Sequence, residues 1–565
     1  MTASQIPDSL ARKPDSLARK IVVTCALPYA NGPIHVGHLI EYIQADIWVK
    51  HLRLQGHECH FVCADDAHGT PIMLKAQERG LSPEALIAEV KEEHTSSFTG
   101  FHINFDHYHS THSDENKMLS EYIFKQLDEQ GFILTKAIEQ LYDSEKGLFL
   151  ADRFVKGECP KCHASDQNGD NCDNCGATYD ATDLINPYST LSNAKPIKKE
   201  TEQLYFNMAA FSDFLKDWIH SGSLQTEVAN KLNEWLENGL EPWDITRQEP
   251  YFGFPIPGYP GKYFYVWLDA PIGYMASFKA YCENQPHLTF EDYWRADKQS
   301  PETKTELYHF IGKDIINFHG LFWPSMLKTA GFRLPNKLFV HGFVTVNGEK
   351  MSKSKGTFIK ADTYLAELPA EYLRYYFACK INPRVEDLDL NLEDFLQRVN
   401  SDLVGKYVNL ASRCAGFIHK KFDGTLASAL PNPELFEEFT QSANTIAELY
   451  EDHEIGKCMR EIMLLADKAN QYIDQEAPWK RAKIDEELPS VQGICTQGLN
   501  LFRLLSIYLK PVLPETVQKV EAFLATPPLA WEDAQTPLLD HKIEPFKPLM
   551  QRITPEQLAS LVAET

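Results

Sequence analysis

Hydrophobic residues along this chain follow two regimes. In the first, short apolar, β-branched runs such as Ile21-Val22-Val23-Thr24, His60-Phe61-Val62-Cys63-Ala64 and Leu338-Phe339-Val340 are bounded by turn residues. Runs of this length predict buried strands of an open α/β sheet. In the second, apolar positions recur at helical spacing through Leu392–Lys421, Glu434–Ile473 and Ile494–Leu524, with prolines between the runs, which predicts a helical bundle. One more periodic helix is expected over Ile359–Lys380, beginning near Asp362. Residues from about 115 to 245 break the α/β pattern.

The length of 565 residues is too great for one core, so several domains are expected. A hydrophobic fraction of 43% and a charged fraction of 24% describe a globular chain, and the net charge of −24 excludes a nonspecific nucleic-acid or membrane binder. No stretch approaches the roughly 20 apolar residues of a membrane span, and no signal-peptide core is present, so the expectation is cytoplasmic. Of twelve cysteines, four are clustered and eight are scattered singly, the pattern of reduced thiols. Residues 1–20 hold a tandem heptapeptide, PDSLARK at 7–13 and again at 14–20. Two polar copies bury too little to fold, so a disordered extension is expected.

Candidate chemistry begins where the first strand ends. The turn Tyr29-Ala30-Asn31-Gly32-Pro33 leads into a helix carrying His35 and His38 in its first turn, on one face. A helix start beyond a glycine-containing turn offers unpaired N–H groups and a positive dipole end to a phosphate. Far downstream lies NGEKMSKSKG, Asn347–Gly356, whose three lysines and two serines form a small cationic loop after a tight turn at Asn347-Gly348. Asp65-Asp66 closes the second strand, at the end of an open sheet where ligands bind; an ionised Asp66 suits a substrate ammonium, and a helix cap is the alternative. Cys159-Pro-Lys-Cys162 and Cys172-Asp-Asn-Cys175, nine residues apart, have the spacing of a closed four-thiolate metal site, against which stands a pair of redox motifs. The aromatic stretch from Tyr263 to Tyr274 serves either as core or as a pocket for a flexible, uncharged side chain. Trp479 likewise suits a bundle core or a stacking platform for an unpaired base.

The order HVGH, then KMSKS, resembles the paired signatures of the class I aminoacyl-tRNA synthetases, and the detail resembles the methionyl-tRNA synthetase family, bacterial type, with a single zinc knuckle. The likeness runs from about residue 20 to the last residue. It implies a Rossmann-type catalytic domain in two halves, 21–114 and 246–345, split by a zinc-binding insertion at 115–245. A lysine-loop and stem-contact region at 346–405 and an all-α anticodon-binding bundle at 406–565 would follow. The implied activity is methionine–tRNA ligation: ATP and methionine give methionyl-adenylate, and methionine then passes to the terminal adenosine of tRNA(Met), initiator tRNA included.

The resemblance assigns catalysis to His35, His38, Lys350, Lys353 and Arg247, and ATP binding to His35, Gly37, His38, Lys350 and Lys353. It assigns methionine binding to Leu27, Tyr29, Asp66, Trp267, Ala270, Pro271, Tyr274, Ile315 and His319, and the anticodon to Asn409, Arg413 and Trp479. One structural Zn2+ on Cys159, Cys162, Cys172 and Cys175 is implied, with Mg2+ accompanying ATP. By sequence alone Arg247 would equally be a surface charge. The chain departs from the family in reading HVGH for HIGH, and it lacks the appended domain that makes many relatives dimers, so a monomer is expected. A cysteine-specific class I enzyme and a non-catalytic RNA-binding protein are the rivals.

Overall fold

The computed structural model describes residues 18–151, 154–298, 303–351 and 357–563. Its centre is a five-stranded sheet made of β1 (Ala18–Cys25), β2 (Glu58–Asp65), β3 (His107–Ser110), β4 (Thr303–Gly312) and β5 (Lys337–His341), in the order β5-β4-β1-β2-β3. Every pairing is parallel, with Val22 beside Leu307 and His60. The chain therefore builds outward from β1 on one side, leaves, and returns on the other. The carboxyl ends of β1 and β4 flank the point where the strand order reverses, which is where open α/β sheets bind ligands. β1 begins earlier than the heptapeptide suggests. Ala18, Arg19 and Lys20 pair with Thr303, Lys304 and Thr305, and the Arg19 guanidinium reaches Glu306 at 2.7 Å and Glu451 at 2.8 Å. The expected extension thus ends before Ala18, because the sheet edge takes up the last residues of the second copy. Residues 1–17 lie outside those described.

Helix α1 (Val36–Leu54) is buried on almost every side, because the sheet covers one face and the bundle the other. Trp48 donates to the Glu451 carbonyl at 3.2 Å, and Gln44 meets His453 at 3.0 Å. The joint below it is the helix Ala370–Lys380. Its Arg374 guanidinium, fully buried, donates to Asp46 of α1 at 2.7 Å and to the carbonyls of Phe101, Pro511 and Val512 at 3.1, 2.9 and 2.9 Å. From the same helix the Glu371 carboxylate accepts the N–H groups of Glu515 and Thr516 at 2.8 and 3.1 Å, capping the helix Pro514–Leu524.

The helical half is more segmented than its periodicity suggests. Ile359–Lys380 divides into Ala361–Glu367 and Ala370–Lys380, because Pro369 drives Leu368 out of the helical region. Glu434–Ile473 divides at His453, whose φ of 61° reverses the chain between Pro433–Glu451 and Ile455–Glu476. Ile494–Leu524 divides into Leu488–Leu509 and Pro514–Leu524. Leu392–Phe422 does run through, with wider π-helical turns over Val399–Val408.

Between the sheet halves, Ile133–Asp143 and Ile197–Phe206 form a long antiparallel ladder, and a smaller sheet of Val155–Glu158, Gln167–Asn168 and Ile185–Ser189 carries the cysteines. The helix Asp114–Glu129 falls in sequence at the edge of this region. It nevertheless packs Leu119, Ile123, Phe124 and Leu127 into the core that holds Val22, Val62 and Met275. Physically it belongs with the sheet.

Arg374→Met leaves the Asp46 carboxylate with only Lys50 and the Asn104 N–H, and leaves three buried carbonyls without the guanidinium donor. The expected loss is about 3–5 kcal/mol, read as a lowered urea midpoint and melting temperature. An unchanged midpoint would assign the joint to apolar packing.

Candidate functional site

The first turn of α1 is closed by its own histidines. His35, in the N-cap position with φ −130° and ψ 167°, accepts the Gly37 N–H on Nδ1 at 3.1 Å. Its own N–H donates to Nδ1 of His38 at 3.4 Å, and the two rings stack with centroids 3.6 Å apart. This reciprocal capping fixes both imidazoles at the carboxyl edge of β1. The His38 side chain is exposed at the surface of this turn. Desolvation of its ring, then the neighbouring His35 and His94, hold its pKa below the ordinary histidine value and keep it neutral.

The segment beyond the lysine loop is sewn onto this turn. Val36 donates its N–H to the Ile359 carbonyl at 2.9 Å, Ala361 donates to Ile34 at 2.9 Å, and His35 pairs antiparallel with Lys360. Phe358 lies 4.8 Å from the His35 ring. On the near side of the loop, Met351 rests directly on Gly37, where a Cβ would stand 2.0 Å from its terminal methyl. Asn347 and Gly348 turn the preceding hairpin with φ of 51° and 78°, so Glu349–Lys350 pairs back onto Val344–Val346. Asp389 holds that turn through the Gly348 N–H at 2.7 Å and Thr345 at 2.7 Å. Lys350 is exposed at the end of this hairpin, and Lys353 lies outside the described residues.

A second group of the expected residues gathers at the ends of β1 and β2. Asp66 and Tyr29 are tied by backbone bonds at the ends of β2 and β1: Asp66 N–H to Pro28 at 2.9 Å, and Ala30 N–H to Asp66 at 2.8 Å. Asp66 Oδ1 is cut off from solvent and has no hydrogen-bond partner among the described residues. Burial, then the charge of Asp269, pushes its carboxyl well above the usual carboxylate range, a state that a cation would reverse. Tyr274 donates to His319 Nε2 at 2.7 Å while His319 Nδ1 donates to the Ile315 carbonyl at 3.1 Å, which sets the tautomer. Trp267 stacks flat on Phe318 with centroids 3.9 Å apart and meets His319 edge-on. Ala270 and Pro271 are buried next along the chain, and Leu27 packs so close to Gly273 that a Cβ there would stand 2.7 Å from it. Arg247 lies with its guanidinium 3.8 Å over the Tyr265 ring and 3.3 Å from Asp244.

Three buried histidines behind these groups escaped the sequence reading. His94 donates from Nδ1 to Asp65 at 2.6 Å and from Nε2 to the Gly32 carbonyl at 2.7 Å, which clamps the turn before His35. With both nitrogens donating it is an imidazolium: burial alone would lower its pKa, but Asp65 and Gly32 raise it overall. His68 bridges Asp269 at 2.5 Å and His112 at 3.0 Å. His309 donates to Thr24 at 2.5 Å and accepts from Trp323 at 3.0 Å. Their partners lie 14 to 285 positions away, at separations that carry no periodicity. The one available signal was His68 itself, two residues after Asp66.

The four cysteines converge as their spacing suggests. Their sulfurs all lie within 4.8 Å of one another, with Cys159 to Cys175 at 3.9 Å and Cys162 to Cys172 at 3.5 Å. That spread suits a tetrahedral thiolate shell around a single ion with metal–sulfur bonds of about 2.3 Å. Lys161 and Cys162 N–H groups point at Cys159 Sγ at 3.4 and 3.5 Å, and Cys175 N–H points at Cys172 Sγ at 3.4 Å. The Ala164 N–H and then Asn174 pull the Cys162 thiol down to about 6, favouring the ligating thiolate. In the bundle, Arg413 is brought together with Trp479, its guanidinium 4.7 Å over the exposed ring and paired with Asp474. Asn409 lies one turn earlier on the same helix, half-buried. No helix among the described residues is long and apolar enough to cross a membrane.

Comparison with known proteins gives two family models and three solved structures. The family model "tRNA synthetases class I (M)" matches residues 21–415, and the model "Anticodon binding domain of methionyl tRNA ligase" matches residues 425–561. Two Mycobacterium tuberculosis methionyl-tRNA synthetase structures with methionyl-adenylate superpose with TM-scores of 0.76 at 23% and 22% identity, covering 94% of this chain and 99% and 100% of theirs. The free form of the enzyme from that organism gives 0.70 at 20% identity, covering 96% and 100%.

The clamp on the turn before His35 has a pH signature. A histidine whose folded pKa is raised adds stability below its unfolded value, near pH 6.5, and that stability fades as pH rises through the folded pKa. His94→Gln is expected to lower the urea midpoint most near pH 6 and least near pH 9. A pH-independent difference between the two proteins would contradict the imidazolium.

Proposed function

This chain belongs to the class I tRNA synthetases (M), and from that membership we propose how its own residues carry out the two half-reactions of a methionine–tRNA ligase. The activity is the activation of methionine by ATP and the charging of tRNA. In the first half-reaction a methionine carboxylate oxygen attacks the α-phosphorus, the bond to the bridging oxygen breaks, and pyrophosphate leaves. In the second, a ribose hydroxyl of the terminal tRNA adenosine attacks the carbonyl carbon, AMP leaves, and the hydroxyl proton is lost. Negative charge spreads over phosphate oxygens in the first step, so positioning and electrostatics dominate.

His35 and His38, held parallel by the helix cap, donate to the triphosphate. Lys350 and Lys353 follow the leaving pyrophosphate from the hairpin and the loop. Arg247 stands over Tyr265 on the far rim. Gly37 lets the nucleotide approach the helix end without a side chain in the way. Asp66 receives the α-ammonium, and Leu27, Tyr29, Trp267, Ala270, Pro271, Tyr274, Ile315 and His319 enclose the thioether side chain. Mg2+, held by the phosphates, would neutralise their charge. One methyl group separates methionine from homocysteine, and an apolar pocket gains only about 1–3 kcal/mol from it. Discrimination beyond that must come from chemistry at the same site. Cys159, Cys162, Cys172 and Cys175 would hold one Zn2+ that cross-links the polar knuckle and takes no part in the reaction. Asn409, Arg413 and Trp479 read the anticodon, with Trp479 as a stacking surface. A single chain is proposed as the working unit in the cytoplasm.

The observation that carries this reading is the ladder between Ile34–Val36 and Ile359–Ala361, which ties the flank of the lysine loop to the HVGH turn. ATP–pyrophosphate exchange should respond to methionine and to none of the other nineteen amino acids. Lys353→Gln is expected to slow exchange by about 10²–10³ with methionine affinity near normal; equal rates in both proteins would remove the lysine from the mechanism. Prolonged chelation, or Cys159→Ser, is expected to release about one zinc per chain and lower the first melting transition. Full metal content after either treatment would refute the four-cysteine site.

A further inference from the structure

Behind the Asp66 subsite lies a second carboxylate that the family-derived assignment does not use. Asp269 ends the short helix Val266–Asp269, directly before the pocket residues Ala270 and Pro271, and is 1% exposed. Its Oδ2 is held by His68 Nδ1 at 2.5 Å, and His68 Nε2 meets His112 Nδ1 at 3.0 Å. The His112 ring stacks on Phe252, and the Phe252 carbonyl accepts the Gly69 N–H at 2.8 Å, so the relay is braced from both sides. Asp269 Oδ1 has no such partner: it is cut off from solvent without a hydrogen bond among the described residues, as are Asp66 Oδ1 and the Tyr251 hydroxyl. The three groups feel one another's charge. Burial and then Asp269 raise the Asp66 carboxyl, and burial followed by Asp269, with Asp66 further down the order, raises the Tyr251 phenol.

A buried carboxylate oxygen without a donor is costly, and two sharing one neighbourhood need a cation. An ammonium group supplies three N–H donors. We propose that Asp269 Oδ1 and the Tyr251 hydroxyl complete a three-acceptor cage with Asp66 Oδ1 for the α-ammonium of the amino acid, and that His68, backed by His112, fixes the Asp269 carboxylate in place. This rests on the assignment of Asp66 to the ammonium made above. The three N–H donors of the ammonium then meet three acceptors, and the His68 Nδ1–H answers the second oxygen of Asp269. His68 and His112 are positioning residues; neither touches substrate.

The test uses the full chain with two ligands, methionine and its des-amino analogue 4-(methylsulfanyl)butanoate, which keeps the carboxylate and thioether. In Asp269→Asn the amide oxygen accepts from His68, which turns the NH2 toward the ammonium. The methionine KM in ATP–pyrophosphate exchange is expected to rise about 10- to 100-fold with kcat changed far less, while the des-amino analogue binds as in the parent protein. An unchanged methionine KM, or equal weakening of both ligands, would overturn the cage. Asp66→Asn provides a second reading that does not depend on the Asp269 variant folding. With Asp269 still present, it should keep a severalfold preference for methionine over the analogue, and complete loss of that preference would equally overturn the proposal. A parent protein without methionine-dependent exchange would instead refute the function itself, and an Asp66→Asn protein with normal methionine affinity would refute the assignment of Asp66.

Discussion

Two backbone hydrogen bonds, from Val36 to Ile359 and from Ala361 to Ile34, hold the flank of the lysine-rich segment against the HVGH turn. They join segments more than 300 residues apart in sequence. Because the bonds are between main-chain atoms, they fix register as well as proximity. Phe358 must lie against His35, and Met351 must come down near Gly37.

That pairing would be weak alone. It survives because α1 is enclosed between sheet and bundle, and because charged groups within the enclosure are satisfied by several partners each. Arg374 spreads its donors over Asp46 and three carbonyls, and Glu371 closes a helix of the bundle. Buried ions of this kind contribute little net stability compared with apolar packing. They do forbid alternative arrangements, since any shift of α1 against Ala370–Lys380 would leave a charge unpaired. The catalytic and helical parts are therefore set relative to each other by polar specificity laid over one apolar core.

The site divides electrostatics by region. At the helix start the groups are cationic or donor-bearing: His35, the His94 imidazolium behind the turn, and the lysine hairpin. At the ends of β2 and the short helix Val266–Asp269 stand the carboxylates of Asp66 and Asp269, each with one oxygen that has no donor among the described residues. The zinc knuckle takes no part in this field. Backbone N–H groups point at its sulfurs, and a metal ion held there would cross-link a segment too polar to form a core of its own.

Features with a local cause were legible in the chain. The uninterrupted β-branched runs announced buried strands, the helical periodicity announced the bundle, the Asn347-Gly348 pair announced its turn, and two CxxC pairs announced a four-sulfur cluster, since each depends on neighbours within a few residues. The breaks at Pro369 and His453 were less visible, because apolar periodicity continues across them while the direction of the chain does not. The strand start at Ala18 was missed for a different reason: a polar heptapeptide says nothing of an open sheet edge supplied by residues 303–305. What tertiary structure alone decided is which distant groups meet. The partners of Asp66, Asp269, His68, His94 and Arg374 are chosen by strand order and helix packing, at separations no pattern encodes. A hydrogen bond between residues 29, 201 or 328 positions apart leaves no period in the sequence, because its cause is the path of the whole chain.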